Sequence, residues 1–178
     1  HVFIPSSAPS GKKDQIRIYG ACVHEVYGPR QVATHSASEF VADRGLVLLS
    51  HSLSPFYPEG MKSFAYEVSI NPERRVDHII FPVGNGSLII GAFAGFKELN
   101  TSRNDLEVPK LHCVQSEASS PIVAAIHNEI WDPKSQSSTV ATGISVAAPP
   151  RLQQVVDSVL GSGGAGIVVK DSSIIYWQ

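Results

Sequence analysis

Short apolar runs alternate with longer amphipathic segments along this chain. The runs are rich in Val, Ile, Leu and Phe and are bounded by Gly, Pro or polar residues, which predicts strands. In chain order, the predicted strands cover residues 2–4, 21–26, 46–49, 78–83, 111–115 and 167–169. Because several of these runs are apolar at consecutive positions, we expect strands that are buried on both faces, as in a parallel sheet.

The segments between the predicted strands carry apolar residues at helical spacing. They predict helices over residues 10–19, 31–42, 61–70, 88–99, 121–129 and 149–160, with the start of another at 171–178. Helix 88–99 is apolar nearly all round, so we expect it to be buried on both sides. The alternation of strand and helix predicts an α/β fold, a three-layer sandwich with a mostly parallel sheet.

Length and charge narrow the class of protein. The chain has 178 residues, 43% of them hydrophobic and 17% charged, which suits one compact domain or one plus part of a second. A net charge of −2 with scattered Lys and Arg offers no basic surface for nucleic acid or an anionic membrane. No apolar run reaches the roughly 18 residues of a membrane span, and the N-terminus shows no signal-peptide pattern. We therefore expect a cytoplasmic protein.

Cysteine and histidine positions argue against disulfide and metal chemistry. Cys22 and Cys113 lie far apart in apolar, strand-like surroundings, which predicts two buried, reduced thiols. The seven histidines are dispersed, and no Cys/His cluster has zinc spacing, so no metal site is predicted. The chain opens at His1 and its only methionine is Met61. We therefore expect a processed product or an excised piece of a longer protein.

Two glycine-rich segments have opposite positions relative to their neighbouring elements. Residues 161–166 follow a predicted helix and precede a strand, which indicates a helix stop. Residues 84–87, GNGS, follow a strand and precede a helix, where main-chain amides and the helix dipole favour an anion. The loop at residues 84–87 does not satisfy the dinucleotide fingerprint GxGxxG. On the residues alone, a phosphate site and plain strand-to-helix packing remain equally open for residues 84–87.

Six stretches, taken together, are similar to one family. They are VFIPSSAPSGKKDQIRIYGACVHEVYG, SPFYPEGMKSFAYEV, IIFPVGNGSLIIGAFAGFKEL, VPKLHCVQSEASSPIV, STVATGISVAAPPR and SGGAGIVVKDSSI. They resemble the pyridoxal-phosphate enzymes of the tryptophan-synthase-β type (fold type II), and threonine synthases most of all. The stretches occur in the family's order and cover nearly the whole chain. One stretch alone would be weak evidence for the family, whereas six stretches in the family's order are specific to it.

The resemblance implies a fold, a cofactor and a site. Residues 1–53 would belong to a small subdomain, and residues 54–178 to a large one that carries pyridoxal 5′-phosphate. A loop of this family cradles the cofactor's phosphate through main-chain amides, and here it matches Gly84, Asn85, Gly86, Ser87 and Leu88. Threonine synthases, lyases of amino-acid biosynthesis, convert O-phosphohomoserine and water into threonine and phosphate. We accordingly expect a small amino-acid substrate and a homodimer.

The family's Schiff-base lysine is absent from this chain. It belongs to a Ser-x-Lys-type motif upstream of the stretch that matches Val2, and the partner of the pyridine nitrogen lies beyond the match to Gln178. Lys12 and Lys13 fall elsewhere in the pattern and are interpreted as solvated helix-start lysines. The resemblance therefore implies no catalytic residue here, and we expect the piece to be inactive alone.

Departures from the family pattern leave the substrate open. Tyr57 and Pro58 stand where many threonine synthases have an arginine for the substrate phosphate, and Leu88 stands where an Asn commonly ends the phosphate loop. Lys62, the nearest remaining cation, is interpreted as a solvated helix lysine. A serine/threonine dehydratase or related β-eliminating lyase is therefore an alternative. Two further hypotheses are a non-catalytic phosphate-binding module and, ranked last, a nucleotide-binding domain in which Glu117 would bind the ribose.

Overall fold

The computed structural model of this protein describes residues 1–28, 30–70, 75–102, 106–135 and 137–178. The chain forms two compact units, His1–Ser50 and His51–Gln178. From the sequence we predict a boundary between subdomains after residue 53.

The first unit contains a two-stranded parallel sheet. Strand β1 (Val2–Pro5) pairs with β2 (Val23–Val26), with Val2 opposite Val23. Helix α1 (Ser10–Ile18) connects the strands, and α2 (Arg30–Arg44) follows them. Among the described residues of this unit, Ala33 is the only one that is fully buried.

Residues 46–49 do not form the predicted strand. Leu46, Val47 and Leu49 are 48%, 81% and 81% exposed, so this apolar run lies largely at the surface. A short apolar run becomes a strand only when a neighbouring strand offers its hydrogen-bonding edge. No strand of the described residues pairs with this run, and the prediction was wrong.

The second unit is built on a three-stranded parallel sheet. Its order is β3 (His78–Pro82), β4 (Lys110–Ser116) and β5 (Gly166–Val169), with His78 opposite Lys110 and Cys113 opposite Gly166. The helices of this unit are α3 (Phe56–Val68), α4 (Ser87–Ser102), α5 (Pro121–Ile126), α6 (Leu152–Gly161) and α7 (Asp171–Trp177). Two short 3₁₀ turns lie at Pro133–Ser135 and Thr142–Ile144. The predicted α/β class with parallel strands is confirmed.

Helix α4 lies in the core of the second unit. Ile89 and Phe96 are each 1% exposed and belong to the same apolar cluster as Leu111 of β4. Helix α3 approaches α4 closely where α4 carries glycine: a Cβ atom at Gly91 would lie 2.3 Å from the carbonyl oxygen of Pro58. The predicted burial of this helix is confirmed, and it anchors the loop that precedes it.

The cysteines differ in their surroundings. Cys113 lies buried in β4, and burial raises the pKa of its thiol to about 12. Cys22 is a free thiol as well, but it is exposed, because it precedes β2 in a unit that buries little. Within the described residues, every helix is too short or too polar to cross a membrane.

Candidate phosphate-binding site

The GNGS loop joins the end of β3 to the start of α4. The amide of Val83 donates to the carbonyl of Val114 at 3.0 Å, which extends the sheet by one residue beyond β3. The chain then turns through Gly84, Asn85 and Gly86, and Ser87 is the first residue of α4. The loop therefore lies at the carboxyl edge of a parallel sheet, where open α/β folds bind their ligands.

The main-chain amides of this loop have no internal acceptor. From residue 84 to residue 89, none of them donates to a backbone carbonyl or a side chain of the described residues. The first paired amide is that of Ile90, which donates to the carbonyl of Gly86 at 3.1 Å. Unpaired amides at a helix start, together with the helix dipole, form an anion-binding arrangement. The donor set suits the oxygens of a phosphate group.

Glycine is required at both ends of the turn, for different reasons. Gly86 has φ 84°, and a Cβ atom there would lie 2.1 Å from Val155 Cγ2 of α6. Gly84 has an ordinary φ, but its Cβ would lie 3.1 Å from the Cα of Ile144 and 3.3 Å from Val146 Cγ2. Helix α6 and the segment around Ile144 thus pack directly against the loop, and side chains at 84 or 86 would displace it.

The two polar side chains of the loop both contact His51. Ser87 Oγ donates to the carbonyl oxygen of His51 at 3.1 Å, and Asn85 Nδ2 lies 3.2 Å from His51 Nε2. Ser52 Oγ also lies 3.2 Å from that ring nitrogen. The Ser87 hydroxyl is therefore engaged with a carbonyl, and it would have to exchange this partner to reach an anion. Leu88, the last of the predicted site residues, is 40% exposed.

Arg151 holds the segment that follows His51. Its Nε donates to the carbonyl of Ser52 at 2.9 Å, its Nη2 to the carbonyl of Ser54 at 2.7 Å, and its Nη1 to Gln154 Oε1 at 2.9 Å. Arg151 is the N-cap residue of α6. Our sequence analysis missed it, although a signal existed: a cation at a helix N-terminus opposes the helix dipole and calls for an explanation.

Gln115 of β4 connects the residue that follows β3 to the first turn of α5 by hydrogen bonds. Its side chain is fully buried in β4. Its Nε2 donates to the carbonyl of Val83 at 3.0 Å, and its Oε1 accepts hydrogen bonds from the amides of Ile122 (2.9 Å) and Val123 (3.2 Å). These bonds satisfy two amides of the first turn of α5 and fix the residue from which the loop departs.

Asp171 holds the segment at Thr139 and Val140 at the same edge of the sheet. Its Oδ1 accepts hydrogen bonds from Thr139 Oγ1 (2.7 Å) and Ser116 Oγ (2.9 Å), and its Oδ2 accepts one from the amide of Val140 (2.9 Å). These bonds, that of Thr139 foremost, hold the pKa of Asp171 below its usual value. The sequence carried one signal for this role, an acidic residue in the first turn of the last helix.

Two lysines interpreted as solvated are instead ion-paired. Lys62 Nζ lies 2.6 Å from Glu59 Oε2 and 2.5 Å from Glu98 Oε1, and these bonds, that to Glu59 first, raise the pKa of Lys62 above its usual range. Lys13 Nζ lies 2.6 Å from Glu25 Oε2. The interpretation was wrong because an i,i+3 acid, or an acid of another element, lies within reach. Lys12 is exposed, as expected.

The model of the pyridoxal-phosphate dependent enzyme family matches residues 1–178. The chain therefore belongs to this family, whose cofactor is pyridoxal phosphate, as the six stretches indicated. Among its relatives, threonine synthase of Methanocaldococcus jannaschii is 32% identical over 171 residues, which are 94% of this chain and 42% of that protein. Threonine synthase of Methanosarcina acetivorans is 30% identical with the same coverage. The chain spans less than half the length of these relatives.

Solved structures confirm the fold. Maize serine racemase matches with a TM-score of 0.74 at 20% identity, covering 97% of this chain and 50% of that chain. Threonine deaminase isoform 2 of Solanum lycopersicum matches with a TM-score of 0.70 at 21% identity, covering 93% and 46%. The architecture is that of the fold type II enzymes, as the sequence predicted.

Proposed function

We propose that this chain is part of a threonine synthase-like enzyme that converts O-phosphohomoserine and water into threonine and phosphate. The relatives at 30–32% identity support this substrate class. Residues His1–Ser50 and His51–Gln178 would then be parts of the small and the large subdomain. The complete enzyme would be a cytoplasmic homodimer that acts on a small amino acid.

The proposed cofactor site is supported mainly by the main-chain amides of residues 84–89, which have no acceptor among the described residues. In this proposal the amides of Gly84 to Leu88 bind the phosphate of pyridoxal 5′-phosphate, and the close contacts of Gly84 and Gly86 keep the turn rigid. Ile144 and Val146, which pack on Gly84, place apolar groups beside the anion and limit its hydration. The cofactor, when bound, supplies an electron sink for the reaction.

A serine/threonine dehydratase is the second candidate, and the surroundings of Lys62 favour it. A phosphorylated substrate needs a cation, but Tyr57 and Pro58 replace the expected arginine, and Lys62 is occupied by Glu59 and Glu98. A substrate whose leaving group is a hydroxyl needs no such cation. A non-catalytic phosphate-binding module, which would bind an anion at residues 84–89 in the same way, is the third candidate.

Anion binding can be tested on the 178-residue chain itself. We expect inorganic phosphate and pyridoxal 5′-phosphate to shift the ¹⁵N–¹H resonances of residues 84–89, with saturation. Gly86→Ala should abolish these shifts, whereas Gly60→Ala, at a helix position with open space around its Cβ, should preserve them. If the resonances of residues 84–89 do not respond to either ligand, the site is wrong.

The reaction class can be determined by an activity assay of the longest natural polypeptide that contains this chain. Phosphate release from O-phosphohomoserine supports a threonine synthase. Ammonia release from threonine or serine, without activity on O-phosphohomoserine, supports a dehydratase. Phosphate binding with neither activity, together with failure of borohydride to fix the cofactor to a lysine, supports the non-catalytic module.

A further inference from the structure

Arg151 is a cation whose partners are all neutral. Its guanidinium is half-buried, and it donates to two main-chain carbonyls and one side-chain amide oxygen. Among the described residues, no carboxylate lies within ion-pair distance of it. Its positive charge is therefore uncompensated locally, which is unfavourable at a helix N-terminus unless something anionic binds nearby.

Two chains of contacts connect Arg151 to the candidate phosphate loop. Along α6, the amide of Val155 donates to the carbonyl of Arg151 at 3.1 Å, and Val155 packs against Gly86. Through the segment 51–54, Arg151 holds the carbonyls of Ser52 and Ser54, while the neighbouring His51 contacts both polar side chains of the loop. The guanidinium thus fixes the part of the chain against which the loop rests.

A stability role alone accounts poorly for this arrangement. The acceptors at residues 52 and 54 are main-chain carbonyls, which a water molecule or a neutral donor could satisfy equally well. A neutral or acidic residue at the N-cap would also suit the helix dipole better than a guanidinium does. A cation is preferred at this position if an anion is held at residues 84–89, because the positive potential then favours binding.

We propose that Arg151 is a positioning residue for the phosphate loop. It holds residues 52–54 so that His51 orients Asn85 and Ser87, and its charge raises the affinity of the loop for a phosphate dianion. This inference rests on the proposed function, because it requires the loop to bind phosphate. The sequence pattern of the family did not point to it, since the arginine expected from that pattern, at residues 57 and 58, serves the substrate phosphate and not the phosphate loop.

The test measures inorganic phosphate binding to the 178-residue chain, from the ¹⁵N shifts of residues 84–89. We expect Arg151→Ala to weaken affinity by about tenfold, and Arg151→Lys, which keeps the charge but not the paired donors, by about threefold. In both variants the side-chain amide resonance of Asn85 should move before phosphate is added. Arg75→Ala is the matched control: it removes the same charge from an exposed site paired with Glu107, and it should bind as the parent does.

The outcomes separate the two proposals. If the parent chain itself does not bind phosphate, the proposed site fails, and this inference with it. If the parent binds and Arg151→Ala binds within twofold of it, only the role of Arg151 is wrong. If Arg151→Ala does not fold, the test depends on Arg151→Lys. Phosphate affinity equal to that of the parent, with an unmoved Asn85 resonance, would overturn the positioning role. A threefold loss of affinity would support it.

Discussion

The two glycine-rich loops of the second unit have similar composition and opposite hydrogen bonding. In the loop after α6, the amides of Ser162, Gly163 and Gly164 donate to the carbonyls of Ser158, Leu160 and Val159, and the amide of Ala165 donates to His112 Nδ1. In the loop before α4, the amides of residues 84–89 donate to nothing among the described residues. Both loops contain a glycine with positive φ, Gly163 at 71° and Gly86 at 84°.

Glycine content therefore does not distinguish an anion site from a helix stop. The order of the elements does, because a helix leaves its first amides and its last carbonyls unpaired. A loop that enters a helix presents donors, whereas a loop that leaves one must use its own amides to satisfy the carbonyls behind it.

Gly164→Ala should have the largest effect on stability. A Cβ atom there would lie 1.9 Å from the carbonyl oxygen of Leu111, and a backbone atom in β4 cannot move aside as a side chain can. We expect the unfolding free energy to fall by about 3 kcal/mol, measured by urea denaturation. Phosphate affinity of the folded fraction should stay within twofold of the parent. A large loss of affinity would contradict the separation of the two loops.

Gly86→Ala should cost less stability but remove binding. The new methyl group meets the side chain of Val155, which can adjust, and it adds the strain of a positive φ. We expect a loss of about 2 kcal/mol and at least a tenfold loss of phosphate affinity, because the amides at 84–89 no longer converge. Gly60→Ala serves as the control for both glycine variants. Retained affinity in Gly86→Ala would mean that the turn geometry is not what binds the anion.

The loop after α6 should respond to pH through His112. Its Nδ1 accepts the amide of Ala165 at 3.2 Å, and its Nε2 lies 2.8 Å from His78 Nδ1. Burial, followed by the charges of His78 and Lys110, lowers the pKa of His112 below its usual value. The folded state thus binds fewer protons than the unfolded state, so stability is full above the unfolded pKa near 6.5 and declines as the pH falls through the folded pKa.

We expect the hydrogen bond of Ala165 to contribute about 1 kcal/mol or less, visible as a smaller protection factor for exchange of the Ala165 amide at acid pH than at neutral pH. His112→Asn, which keeps an acceptor, should reduce the pH dependence of unfolding, and the exposed His127→Asn should not. Equal pH profiles for the parent and His112→Asn would show that this histidine does not control the loop.

Ser87→Ala should have the smallest effect on stability. It removes one exposed hydrogen bond to the carbonyl of His51, so we expect a loss of about 0.5 kcal/mol. Phosphate affinity should fall only a few-fold, since the main-chain amides remain. Ser63→Ala, on the exposed face of α3, provides the baseline for a serine-to-alanine change. A loss of binding as complete as that of Gly86→Ala would place the hydroxyl, and not the amides, at the centre of the site.

Much of the fold could be predicted from the sequence where local pattern and burial agree. Helix α4 is apolar on nearly every side, and it lies in the core. The strand predicted at residues 46–49 was wrong because its apolar pattern carries no information about a pairing partner. The interpretation of Lys62 as solvated was wrong for a related reason. Glu59 lies one turn away on the same helix, but Glu98 belongs to another helix, and the local sequence pattern does not show that contact.

Six stretches of the sequence, in order, indicated the family. The sequence was also sufficient to predict the order of strand, glycine loop and helix at residues 78–99, and with it the orientation of the unpaired amides. That information is local, because hydrogen bonding at a helix end depends on the nearest few residues. Only the tertiary structure brought Arg151 to Ser52, which lies 99 residues away in the chain, and His51 to the loop. Such contacts depend on how distant elements pack, and no spacing in the sequence encodes them.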